Sequence, residues 1–106
     1  MALDGQTEWI TEEVGAGGDG FCLDVDGNFY VAATRDHGVR VVDPSGALVD
    51  LYPIPEPPDG FGIVTNCCFG GNDGRTLFAT DGIPGQLVAW EHMPVAGLAI
   101  HLWPAP

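Results

Sequence analysis

The sequence predicts an all-β fold, about two four-stranded antiparallel blades of a β-propeller. Residues 18–32 read Gly-Asp-Gly-Phe-Cys-Leu-Asp-Val-Asp-Gly-Asn-Phe-Tyr-Val-Ala, which is a short apolar strand, an Asp-Gly turn and a second apolar strand. A looser version returns about 47 residues later. It begins at Thr65-Asn66-Cys67-Cys68-Phe69-Gly70-Gly71 and runs through Asp73-Gly74-Arg75-Thr76-Leu77-Phe78-Ala79-Thr80. Asp26-Gly27 aligns with Asp73-Gly74, and Gly38 with Gly85, both at an offset of 47. Repeats of roughly 40–50 residues built from short strands are the signature of propeller blades. The 16 glycines and 9 prolines are spread along the chain, as many short strands require many turns. Two such units make an arc of a ring.

Taken in order, residues 1–17 hold a candidate strand left over from a preceding blade (Thr7, Trp9, Ile10 and Thr11 suit a strand as well as Glu8 to Val14 suit a helix start) and a Gly-rich linker. The first blade is expected over 18–52. Its inner strand covers 21–24, and Asp26-Gly27 forms a tight hairpin turn, because Asp and Gly tolerate positive φ. The second strand, 28–33, is apolar on both faces, as in a sheet covered from both sides. Arg35-Asp36-His37-Gly38 turns the chain into a third strand at 39–43, and Pro44-Ser45-Gly46 turns it into an outer strand at 47–52. Residues 53–61 form a linker whose prolines cannot enter a central ladder. The second blade is expected over 62–106. Its strands are placed at 62–69, 76–80 and 86–91, with a fourth, outer strand at 95–103 that Gly97 weakens.

Composition narrows the function classes. The 106 residues carry a net charge of −12, with Arg35, Arg40 and Arg75 as the only Lys or Arg side chains. Such a surface repels nucleic acid and anionic lipid, so neither is expected as a partner. Mean hydropathy is +0.13 and 45% of residues are hydrophobic, too apolar for a disordered chain. No segment has the length of a membrane span, and the first residues lack a signal pattern, so a cytoplasmic location is expected. Cys22, Cys67 and Cys68 show no metal-ligand spacing and read as free thiols. Vicinal Cys67 and Cys68 should point to opposite faces of a strand.

Among polar residues, Asp24 and Asp26 flank one valine but lack the other positions of a calcium loop, so they read as turn formers. His37, in a turn, reads as exposed. No Ser-His-Asp order in strand–turn–helix context and no phosphate-binding glycine loop appear. Trp9, Trp90 and Trp103 read as packing residues between or beneath blades. From spacing alone, Asp19 is a turn residue ahead of the first inner strand.

Asp19-Gly20-Phe21-Cys22-Leu23-Asp24-Val25-Asp26-Gly27-Asn28 resembles the "P-D-G-(hydrophobic)-x-x-D-x-x-G-(N/K)" segment of the regucalcin/gluconolactonase family. Thr65-Asn66-Cys67-Cys68-Phe69-Gly70-Gly71, followed by Thr76-Leu77-Phe78-Ala79-Thr80, is similar to that family's "T-N-x-x-F-G-G…T-L-(Y/F)-x-T". The likeness runs from about Gly18 onward, with 94–98 similar to the closing blade. Gly18 stands where the family usually has Pro.

The resemblance implies part of a six-bladed propeller and a metal-dependent lactone hydrolase. Asp19 matches the family's metal-ligating carboxylate at the mouth of the central channel, which is also its candidate for activating water. The implied cofactor is a divalent metal, calcium or zinc, and the implied substrate is a sugar lactone or similar cyclic ester. A metal there would polarise the carbonyl and stabilise the developing oxyanion. The family's other ligands, an N-terminal Glu and Asn residues of earlier blades, have no counterparts here, so the ligand set is incomplete and the chain alone is expected to be inactive. Missing blades would come from another chain or from self-association, three two-blade copies closing a ring. Thr65 and Asn66 border the same channel or bond to a neighbouring blade. The alternative reading is a non-catalytic propeller remnant or interaction module, and whether the chain is an enzyme stays open at this point.

Overall fold

The computed structural model describes residues 17–55, 62–83 and 85–99. These build two antiparallel sheets. The first contains β1 (Gly18–Leu23), β2 (Phe29–Ala33), β3 (Gly38–Val42) and β4 (Leu48–Pro53), neighbours in that order. The second contains β5 (Val64–Gly70), β6 (Thr76–Asp81) and β7 (Gln86–Trp90), again in sequence order. Each sheet is thus a meander in which every strand pairs with the next, as in a propeller blade.

The strand-forming residues explain this layout. β2 and β3 are buried on both faces except for Arg40 and the half-buried Phe29, in line with their nearly continuous apolar runs. β4 is mostly exposed and ends on Pro53, which an outermost strand tolerates. The sheets pack face to face through Tyr30, Ala32 and Val41 of the first and Val64, Cys67 and Leu77 of the second. Tyr30 meets Phe69 edge-on at 4.8 Å, and Tyr52 meets Trp90 at 5.9 Å, so Trp90 does pack between the sheets. Thr34 adds a polar tie, its hydroxyl donating to the Val64 carbonyl at 2.9 Å. Trp9 and Trp103 lie outside the described residues, as does the strand expected within 1–17.

Three expectations are corrected. The Asp26-Gly27 turn is a three-residue loop, with Gly27 N–H donating to the Asp24 carbonyl at 3.1 Å and Asp24 N–H to the Asn28 carbonyl at 3.1 Å. Only Gly27 takes a positive φ, +85°, so Asp26 serves the loop without entering the left-handed region. His37 is half-buried rather than exposed. It ends a short 3₁₀ turn (Thr34–Asp36) at φ 56°, and its Nδ1 has no partner among the described residues. The outer strand expected over 95–103 is not formed in its described part. Residues 96–98 instead cross to the first sheet, where Gly97 bridges Asp24 antiparallel and Leu98 N–H donates to the Leu23 carbonyl at 2.9 Å.

Two buried carboxylates organise the loops. Asp24 accepts from Asp26 N–H, Asn28 N–H, the Asn28 side chain and the Tyr30 hydroxyl. Asp81 accepts from Ile63 N–H, Ile83 N–H and the Gln86 amide, pinning the entry of β5 to the β6–β7 turn. Both therefore sit buried with their lone pairs satisfied by donors, the condition under which a buried charge is tolerated.

Candidate functional site

β1 and β5 are the first strands of their sheets and lie side by side, and both are irregular at the same place. Along β1 the pairing with β2 shifts between Gly18↔Ala33 and Phe21↔Val31, so Asp19 and Gly20 together oppose one residue. Along β5 the pairing with β6 shifts between Val64↔Asp81 and Asn66↔Thr80, which leaves Thr65 as the extra residue. A bulge of this kind bends the strand and re-aims the side chains beside it, and it recurs next to active sites.

Asp19 is exposed on the β1 bulge. It is not a turn residue ahead of the strand, because the strand begins at Gly18. Gly20 packs against Asn66 so closely that a Cβ at position 20 would overlap the Asn66 amide and lie 3.2 Å from its Cα. The absence of a side chain at Gly20 is therefore what lets β1 approach β5 at Asn66, one residue along from Asp19. The Asn66 Oδ1 accepts from Cys67 N–H at 2.9 Å, and the Thr65 and Thr80 hydroxyls are 2.8 Å apart. Gly20, the chain neighbour of Asp19, thus meets Asn66, the chain neighbour of Thr65, whereas the Asp24 carboxylate is saturated by its own loop and the Tyr30 hydroxyl. His92 is exposed at φ 59° beside Glu91, and His101 lies outside the described residues.

One grouping escaped the sequence. The Cys22 and Cys67 sulfurs are 3.7 Å apart across the sheet–sheet contact, and Cys67 S–H donates to the Tyr30 carbonyl at 3.1 Å. Cys68 is exposed, on the opposite face from Cys67 as strand alternation requires. The Cys67 hydrogen bond, and then burial, push the Cys22 thiol up from its ordinary value, while the same hydrogen bond lowers Cys67. Beside the pair runs an apolar cavity of about 280 Å³ lined by Phe21, Cys22, Leu23, Cys68, Phe69 and Leu98.

The donor set can be tested against a metal. Calcium takes about six to eight oxygen ligands. Asp19 offers one carboxylate, and the Asn66 oxygen is already engaged with Cys67 N–H. Among the described residues no group of three or more His, Cys, Asp or Glu is placed to hold a metal ion. These residues do not fit a self-sufficient metal site. Nor, among the described residues, is any helix long and apolar enough to cross a membrane.

Comparison with known proteins gives the geometry its context. The profile of the SMP-30/gluconolactonase/LRE-like region matches residues 2–82. It starts well before Gly18 and stops short of 94–98, so the family likeness extends further toward the N-terminus than the motifs do. Regucalcin of Danio rerio is 32% identical over 81 residues, 74% of this chain and 26% of that protein. Regucalcin of Gallus gallus is 31% identical over 81 residues, covering 74% and 25% respectively. The chain therefore spans about a quarter of the length of the curated relatives it matches. A solved structure of luciferin-regenerating enzyme superposes with a TM-score of 0.70 at 24% identity, over 83% of this chain and 32% of that one. With the two meander sheets and the Asp19-Gly20 and Thr65-Asn66 motifs in place, the profile match over most of its length shows that this chain belongs to the SMP-30/gluconolactonase/LRE-like family.

Proposed function

We propose that the chain carries part of the site of a lactone hydrolase that opens a sugar lactone or similar cyclic ester. The observation that carries this reading is the exposed Asp19 on the β1 bulge, next to Gly20, whose missing side chain lets β1 approach Asn66 of β5. In ring opening, the oxygen of water bonds to the carbonyl carbon and the ring C–O bond breaks. Asp19 would accept the proton that water loses, and the released hydroxyl would take it up. A calcium or zinc ion belongs to the proposal only with ligands additional to the described residues, and no step is assigned to it. Further blades, from another chain or from three copies closing a six-bladed ring, would complete the mouth, in a cytoplasmic setting.

The test is lactone hydrolysis followed in a pH-stat, with and without added calcium or zinc, beside the mass of the protein in solution. In the assembled species, Asp19→Ala is expected to lower turnover about 10²–10⁴-fold, as for loss of a general base. It should leave the thermal midpoint nearly unchanged, because an exposed side chain contributes little to stability. Metal-dependent turnover that survives the substitution would remove Asp19 from the chemistry. A strict monomer with no turnover would end the enzymatic reading.

A second reading, a non-catalytic interaction module, is favoured by one specific observation. Large apolar side chains stand open on both sheets, with Phe21 57% and Leu87 67% exposed. Such faces and open strand edges invite association. Metal titration by calorimetry separates the two readings. A defined site of millimolar or better affinity, lost on Asp19→Ala, counts against the module.

A further inference from the structure

We propose that Cys22 and Cys67 are a modification site, a thiol pair that a hydroperoxide converts into a disulfide joining the two sheets. The two residues are 45 apart in sequence, on β1 and β5, the strands that meet at the sheet–sheet contact. Their sulfurs already lie at 3.7 Å, against about 2.05 Å in a disulfide, so the side chains have a short distance to close. Neighbouring groups hold the arrangement. Cys67 is fixed by its hydrogen bond to the Tyr30 carbonyl, and Tyr30 in turn by its hydroxyl on Asp24 and its edge contact with Phe69.

Access favours Cys22. Cys67 is buried and borders only a smaller cavity of about 120 Å³, whereas Cys22 is half-buried and lines the 280 Å³ cavity. The hydroperoxide therefore reaches Cys22. Its sulfur attacks the terminal oxygen, an S–O bond forms, the O–O bond breaks and the Cys22 proton passes to the departing oxygen; because the Cys67 contact and burial hold that proton, this is the slow step. The product is a sulfenic acid at Cys22 and an alcohol, or water when the oxidant is hydrogen peroxide. Cys67 sulfur then attacks the Cys22 sulfur, the S–S bond forms, and the hydroxyl leaves with the Cys67 proton as a second molecule of product water. The two thiols lose two electrons and two protons, and the peroxide takes up both. Cys68 also lines the larger cavity, but it alternates with Cys67 along β5, and the bridge goes to Cys67, whose sulfur is the one 3.7 Å from that of Cys22.

The experiment exposes the chain, and a Cys68→Ser variant, to hydrogen peroxide, then counts thiols after denaturation and maps peptides without reduction. The variant is needed because Cys67 and Cys68 share one peptide. Wild type is expected to fall from three thiols to one and the variant from two to none, with a loss of 2 Da per chain, a 22–67 cross-link and full reversal by dithiothreitol. The loop closed is long, so the thermal midpoint of the oxidised chain should rise by roughly 10 °C. A bridge that uses Cys68, one that joins two chains only, or accumulation of sulfinic acid at Cys22 without a cross-link would each overturn the proposal. So would thiols that stay at three under peroxide concentrations that oxidise free cysteine. Cys22→Ser should abolish the cross-link, and if that variant does not fold, fragment-ion sequencing of the wild-type peptide pair decides the same point.

Discussion

Asp24→Ala is expected to destabilise the fold by about 3–5 kcal/mol, enough to unfold much of a domain this small at room temperature. The side chain is 1% exposed, so water cannot replace it. One carboxylate oxygen accepts from Asp26 N–H at 2.9 Å and Asn28 N–H at 3.0 Å. The other accepts from the Asn28 side chain and the Tyr30 hydroxyl, each at 2.8 Å. Alanine strands four donors at once, the Tyr30 hydroxyl in a buried bond and the other three in partly buried ones; a buried, unsatisfied polar group costs about 1–3 kcal/mol, less where water or relaxation of the loop reaches it. Tyr30→Phe removes one donor from the other end and should cost only about 1 kcal/mol. Urea denaturation of the three proteins gives the ordering directly. Equal midpoints for Asp24→Ala and wild type would show that the loop holds itself without its carboxylate.

The same residue carries a pH signature. Burial by itself raises the Asp24 carboxyl, but the hydrogen bonds from Asn28, Tyr30 and the loop N–H groups outweigh it and the net shift is downward. A carboxyl lowered in the folded state contributes stability that is fully present above its unfolded value, about 3.9. That contribution is lost as the pH falls through the lower folded value. The gap between wild type and Asp24→Ala should thus be constant from about pH 5 to 8 and narrow below about pH 4. A gap that widened on acidification would contradict the assigned direction.

How far the sequence could be read is clearest from pairs of residues it treated alike. Gly38 and Gly85 align at the repeat offset, yet they meet different demands. Gly38 faces the backbone of β4, where a Cβ would sit 2.6 Å from the Tyr52 carbonyl oxygen, whereas Gly85 has open space around it and a φ of +91°. A repeat reports that glycine recurs, not which constraint calls for it. The strands were legible because β2 and β3 are continuously apolar and the turns between them carry Asp, Gly and Pro. Asp19 was singled out by its motif. Its bulge was not, because a bulge is a property of two paired strands and appears in neither one alone. Cys67 and Cys68 could be assigned to opposite faces from strand alternation, but which face meets Cys22 depends on how one sheet lies on the other. The path of 96–98 was missed for a similar reason: the residues look like an outer strand locally, and their partners Leu23 and Asp24 lie more than 70 positions earlier.

That path sets the other large effect. Gly97→Ala is expected to cost about 3 kcal/mol, at the upper end for overpacking by one methyl group. A Cβ at position 97 would overlap Cβ and Cγ of Phe69 and lie 2.8 Å from its Cδ2, where carbon atoms need about 3.5–4.0 Å. Phe69 cannot yield by rotating, since its Cβ is fixed by the backbone of β5. The segment must lift instead, and lifting it breaks a set of bonds that act together. Gly97 N–H donates to the Gly74 carbonyl at 2.8 Å, Val25 N–H to the Ala96 carbonyl at 2.9 Å and Leu98 N–H to the Leu23 carbonyl at 2.9 Å. Upstream, Arg75 remains bonded to the Met93 and Pro94 carbonyls, so the loss should stop near residue 95. Amide exchange would locate it: Val25, Gly97 and Leu98 lose protection while Met93, whose N–H donates to the Arg75 carbonyl, keeps its own. Truncating the ring with Phe69→Ala should not rescue the variant, because the clash with the Phe69 Cβ persists. Rescue by that second change, or undiminished protection at Val25, would mean that 96–98 does not run between Phe69 and the end of β1.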